Sequence, residues 1–127
     1  MSPTTQAACI TVAIVFGLGT AMAQQQEIQM VTVVGCLQQQ TSGDLPWMLS
    51  KATEGTPSET AFTSQDEVDE SKDRALGTLD YRLLGVGEFD IEPHVGHKVQ
   101  VKGLEVMLDG ERRLNITSFQ HLAPACE

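Results

Sequence analysis

The stretch Lys98-Val99-Gln100-Val101-Lys102-Gly103-Leu104-Glu105-Val106-Met107-Leu108-Asp109-Gly110-Glu111-Arg112-Arg113-Leu114-Asn115-Ile116-Thr117-Ser118-Phe119 decides the fold. Its first six residues alternate polar and apolar, which sets Val99 and Val101 on one face of a strand. After Gly103 the apolar phase slips by one, to Leu104, Val106 and Leu108. A one-residue slip at a glycine is what a β-bulge produces, and bulges bend long strands around barrel corners. Asp109-Gly110, between two apolar runs, is the strongest short hairpin signal. The returning strand holds Leu114 and Ile116 in alternation.

Upstream, Met30-Val31-Thr32-Val33-Val34-Gly35-Cys36-Leu37 is β-branched and apolar, with Gly35 where a bulge or sharp bend fits. Trp47-Met48-Leu49-Ser50 reads as a short strand after Pro46, and Tyr81-Arg82-Leu83-Leu84-Gly85-Val86 as a third. Phe89 to Gly96 is a connection with one helical turn, ended by Gly96. Five strands in this order, closing on a hairpin, predict a mainly β fold: a small five-stranded OB-like barrel with a short helix. Segment 51–78 is an acidic insertion rich in Ser and Thr. Within it, Ser64-Gln65-Asp66-Glu67 has capping-box spacing for a helix running to about Ala75. Little of that helix is apolar beyond Val68, Ala75 and Leu76, so it should lie on the surface or move as a flap.

The N-terminus reads as an address. Residues 1–23 contain no Asp, Glu, Lys or Arg, and carry the apolar run Ile10-Thr11-Val12-Ala13-Ile14-Val15-Phe16-Gly17-Leu18. Ala21-Met22-Ala23 has the small-x-small form of a signal-peptidase site, so cleavage is expected after Ala23. The competing reading is an uncleaved anchor. It is weakened by Gly17, Gly19 and the lack of basic flanks. The expected organisation is therefore a signal peptide at 1–23, a flexible start at 24–29 and a barrel domain at 30–127. Its destination is the periplasm or the extracellular space, with no stable membrane insertion after cleavage.

Charge bounds the partners. The chain carries 17 acidic and 8 basic residues, all of them after residue 23. Residues 52–80 concentrate the excess, with Glu54, Glu59, Asp66, Glu67, Asp69, Glu70, Asp73 and Asp80 against Lys72 and Arg74. Nucleic-acid binding, which depends on Lys and Arg neutralising phosphates, is not expected.

Export removes Cys9 and leaves Cys36 and Cys126. In an oxidising compartment the two most simply form one disulfide, the alternative being free or metal-binding thiols. Closing a loop that long stabilises a domain by roughly 4–5 kcal/mol on the chain-entropy view.

Val34-Gly35-Cys36-Leu37, Tyr81-Arg82-Leu83-Leu84-Gly85, His94-Val95-Gly96-His97-Lys98-Val99-Gln100-Val101-Lys102-Gly103, Asn115-Ile116-Thr117-Ser118 and Ala123-Pro124-Ala125-Cys126 together resemble a group of uncharacterised small secreted bacterial proteins with an OB-like domain. The resemblance covers most of residues 31–126 and leaves 51–78 weakly placed. It implies export, an OB-like barrel and a recurrent pair of cysteines, and carries no catalytic residue.

Candidate sites are few. No Ser-His-Asp arrangement, phosphate loop or cofactor motif is present, so a non-enzymatic binding or structural module is expected. Its ligand would be a small molecule, a glycan or a protein. Trp47 and Tyr81 fall on the two strands that form the usual binding face of such barrels, and either could stack on a ligand. The alternative is a metal-binding envelope protein using His94 and His97, spaced three apart in a turn, with nearby acids as further ligands.

Overall fold

The slip at Gly103 and the Asp109-Gly110 pair become, in the computed structural model, one bent two-stranded ribbon. The structure describes residues 28–41 and 43–126, together with positions 3, 13, 14 and 17. The signal peptide and cleavage site expected at 1–23 therefore lie outside the described residues, those isolated positions apart.

Strand β1 spans Gln29–Gln39, β2 Trp47–Ala52, β3 Thr56–Pro57, β4 Leu79–Leu84, β5 Lys98–Leu108 and β6 Glu111–Ala123. The sheet order is β2-β4-β6-β5-β1-β3, and an added β1–β2 pairing closes the first five into a barrel. All barrel pairs are antiparallel except β4–β6, which is parallel with Leu83 opposite Leu114. This is the strand order of a small OB-like barrel, with the two-residue β3 as an extra edge beside β1.

Asp109 and Gly110 both take positive φ, 52° and 75°, as a type I′ hairpin turn requires. The bulge lies where the glycine predicts it, with the extra residue on the partner strand. Lys102 pairs with Ser118 and Gly103 with Ile116, leaving Thr117 unmatched on β6. A Cβ at Gly103 would stand 2.6 Å from Asn115 O, so only glycine lets β6 approach so closely. Gly35 carries no bulge. Its pairing with Val99 is in register, and it instead marks where β1 passes from β5 to β2 as partner, with Cys36 paired to both Lys98 and Ser50. The strand also starts at Gln29, inside the span expected to be flexible.

Val31, Val33, Leu37, Leu49, Tyr81, Leu83, Val99, Val101, Leu114 and Ile116 fill the barrel. A smaller apolar cluster forms outside it, where Val68 of the helix covers Val34 and Leu122.

The capping box forms as spaced: the Glu67 N–H donates to Ser64 Oγ at 3.2 Å and starts helix α1, Gln65–Lys72. The helix ends at Lys72, short of Ala75, in a tightened turn where Arg74 N donates to Ser71 O at 3.2 Å. Lys98 Nζ donates to Lys72 O at 2.8 Å and to Arg74 O at 2.7 Å, a cation placed at the negative helix end. Gln100 Nε2 donates to Ser71 Oγ at 2.5 Å. Lys102 Nζ reaches Phe62 O at 2.8 Å, Thr60 Oγ1 at 3.1 Å and the Glu67 carboxylate. The polar face of β5 thus lies under the acidic insertion, which it holds down with three buried side chains.

Cys36 and Cys126 are joined by a disulfide, S–S 2.05 Å, across 90 residues of sequence. Among the described residues no helix is long and apolar enough to cross a membrane.

Candidate metal centre

The connection from β4 to β5 is two single turns of 3-10 helix, Val86–Glu88 and Glu92–His94. Pro93 suits the start of the second, and buried Ile91 roots it in the core. The chain then reverses through Gly96, whose φ of 82° favours glycine. His94 N donates to Ile91 O at 2.9 Å and His97 N to His94 O at 2.9 Å. The turn is stitched to β1 on both sides: Gly96 N donates to Leu37 O at 2.8 Å, and Leu37 N to His97 O at 3.0 Å. Cys126 Sγ sits 3.1 Å from Gly96 O, so the disulfide packs against the same turn.

His121 arrives from β6. Val99 pairs with His121 but Lys98 pairs with Ala123, an irregularity that leaves Leu122 unmatched. Bulges re-aim side chains at barrel ends. Leu122 enters the outer apolar cluster, while His121 stands over the His94 and His97 rings.

The three rings form a triangle. Centroids lie 4.9 Å apart for His94–His121, 4.9 Å for His97–His121 and 5.6 Å for His94–His97, and Phe119 flanks His94 at 5.6 Å. One nitrogen from each ring falls within 4.8 Å of the others. Three nitrogens on a tetrahedral zinc stand about 3.3–3.4 Å apart, so holding an ion asks the rings to draw closer together. Among the described residues this is the one group of three or more His, Cys, Asp or Glu close enough to share an ion.

The Nδ1 atoms of His94 and His97 are buried with no hydrogen-bond partner among the described residues. Buried ring nitrogens without a partner are costly unless something bonds to them. The His121 pKa is lowered, first by desolvation and then by the neighbouring His94 and His97. Crowding of this kind favours neutral imidazole, the form that binds a metal.

Sequence spacing identifies the His94/His97 pair and misses the third member. The further ligands were expected to be acids; the neighbour is His121, 24 residues beyond His97 in sequence. No local pattern signals it, because barrel closure and the β6 irregularity bring it there.

The expected stacking residues lie elsewhere. Tyr81 is 0 % exposed, and its hydroxyl accepts from Gly55 N at 3.1 Å, so its ring presents no face to a ligand. Trp47, at the start of β2, is half-buried and packs against the core. The cleft near them is lined by Gly43, Asp44, Leu45, Arg82, Glu111 and Arg113. Both of its guanidiniums share one carboxylate: Arg82 Nε meets Glu111 at 2.8 Å and Arg113 meets it at 3.2 Å. Arg82 also donates to Leu45 O at 2.8 Å, tying the β1–β2 loop to the hairpin.

Fold and site together define a disulfide-closed OB-like barrel carrying a three-histidine cluster at one turn. Comparison with protein-family models, with curated proteins and with solved structures finds no match to this chain.

Proposed function

We propose that this protein is an exported, non-enzymatic metal-binding module, and that His94, His97 and His121 hold one borderline divalent ion of the zinc, copper or nickel type. The observation that carries the reading is the gathering of three imidazoles, one nitrogen of each within 4.8 Å of the others, beside two buried ring nitrogens with no hydrogen-bond partner among the described residues. Imidazole suits these ions, whereas calcium and magnesium take oxygen ligands. Export is supported by the apolar, uncharged N-terminal segment and by the disulfide, which persists in oxidising compartments.

Calorimetry tests the proposal. Zinc or copper titrated into the protein should bind one to one, and calcium should give no heat. His121 is exposed, so His121→Ala should keep the fold. It should weaken binding by no less than the roughly 10–100-fold that even outer-shell partners contribute. Absence of heat with zinc, copper and nickel, or an unchanged affinity in His121→Ala, would overturn the reading.

A further inference from the structure

The Cys36–Cys126 disulfide lies against the histidine turn. Cys126 Sγ is 3.1 Å from the carbonyl oxygen of Gly96, the residue before His97. Cys36 precedes Leu37, whose N–H donates to His97 O and whose carbonyl accepts from Gly96 N. The two sulfurs differ in freedom. Cys36 is 4 % exposed, on a strand paired on both sides, to Lys98 and to Ser50. Cys126 is half-buried and stands beyond the end of β6, after the exposed residues Pro124 and Ala125. The disulfide ties this last stretch to the barrel.

Three imidazoles leave a tetrahedral ion one donor short. Among the described residues no carboxylate belongs to the histidine group, so the fourth donor has to come from elsewhere. Thiolate joins imidazole in closed zinc sites and suits zinc better than oxygen does. Cys126 is a sulfur already beside the turn, and its bond to Cys36 withholds it.

We propose that the disulfide is a redox control on the histidine site: a dithiol reductant frees Cys126, whose thiolate completes a three-histidine, one-cysteine zinc centre. The inference rests on the three-histidine reading of the site. A thiolate of the reductant attacks Cys126 Sγ, the more accessible sulfur, and the S–S electron pair leaves on Cys36, which takes a proton. The reductant's second thiol then attacks the mixed disulfide and releases Cys126, leaving the reductant as its own disulfide. Two electrons and two protons have passed to the cysteine pair. Cys126 gives its proton to solvent when it ligates the ion.

X-ray absorption at the zinc edge, with chelator competition for affinity, provides the test on oxidised protein and on protein reduced with a phosphine. The phosphine stands in for the dithiol and carries no sulfur; it ends as the phosphine oxide, its oxygen taken from water. The oxidised protein should show zinc with no sulfur neighbour. Reduction should add one sulfur at about 2.3 Å and tighten zinc binding by about tenfold or more. In reductant, Cys36→Ser should keep that sulfur, whereas Cys126→Ser should lose it together with the gain in affinity, although both lack the disulfide. A reduced protein without zinc-bound sulfur, an affinity that falls on reduction, or a sulfur that survives in Cys126→Ser would overturn the inference and leave the three-histidine reading standing. An oxidised protein that takes up no zinc would overturn both.

Discussion

Lys102 shows how much one side chain can organise. It is 1 % exposed, on the polar face of a strand where alternation predicts a solvent-facing residue. Its ammonium gathers Phe62 O, Thr60 and the Glu67 carboxylate, and so turns an acidic segment into a docked cover. Replacing it with Met keeps the apolar stem and removes every donor. Lys102→Met should lower stability by roughly 1–3 kcal/mol, the range for acceptors left without a partner, as read by urea unfolding. A loss below about 0.5 kcal/mol would mean that the clamp is ornamental. Gly103 next to it is constrained by space. Gly103→Ala sets a methyl against Asn115 O and should also destabilise, whereas Gly87→Ala, with nothing within 4 Å, should not.

Among the elements, the hairpin, the bulge and the α1 cap were legible because each is specified by residues within a few positions: Asp109-Gly110, the phase slip at Gly103, and Ser64 with Glu67. The burial of Lys98, Gln100 and Lys102 was not. A polar residue on an alternating strand looks the same whether water or a polar helix backbone covers it. Docking of α1 carries its own pH signature. The Glu67 pKa is lowered from its ordinary 4.5, mainly by the hydrogen bond from Lys102. A carboxylate with a depressed folded pKa adds stability that is complete above the unfolded value and is lost as pH falls through the folded one. The wild-type advantage over Glu67→Gln should therefore hold at pH 6–7, above the ordinary 4.5, and shrink progressively as the pH falls below that value. Unfolding curves at each pH check this; a constant gap would show that the ion pair does not hold the helix.

Across the whole molecule, the barrel brings together what sequence keeps apart. Tyr81 sat on the expected strand, but its ring faces inward beside Leu83 while Asp80 and Arg82 take the other face, the side that the alternation of the strand already favoured. His121, by contrast, was unreadable as a partner of His94: the contact spans strands β5 and β6 and the turn between β4 and β5. The disulfide links these scales. Cys36 adjoins Leu37, which bonds both sides of the histidine turn, and Cys126 packs on Gly96. The double variant Cys36→Ser/Cys126→Ser should lose up to about 4–5 kcal/mol of stability. It should also bind zinc more weakly than the parent under conditions where both are folded. Equal zinc affinity would separate the staple from the site.

The central claim, three imidazoles on one ion, is read most directly by X-ray absorption at the zinc edge of the protein loaded with one equivalent of zinc. The account predicts a first shell with three nitrogen scatterers at about 2.0–2.1 Å and the outer-shell pattern of imidazole rings. A shell of oxygens without imidazole scattering, or one containing sulfur at about 2.3 Å, would contradict it.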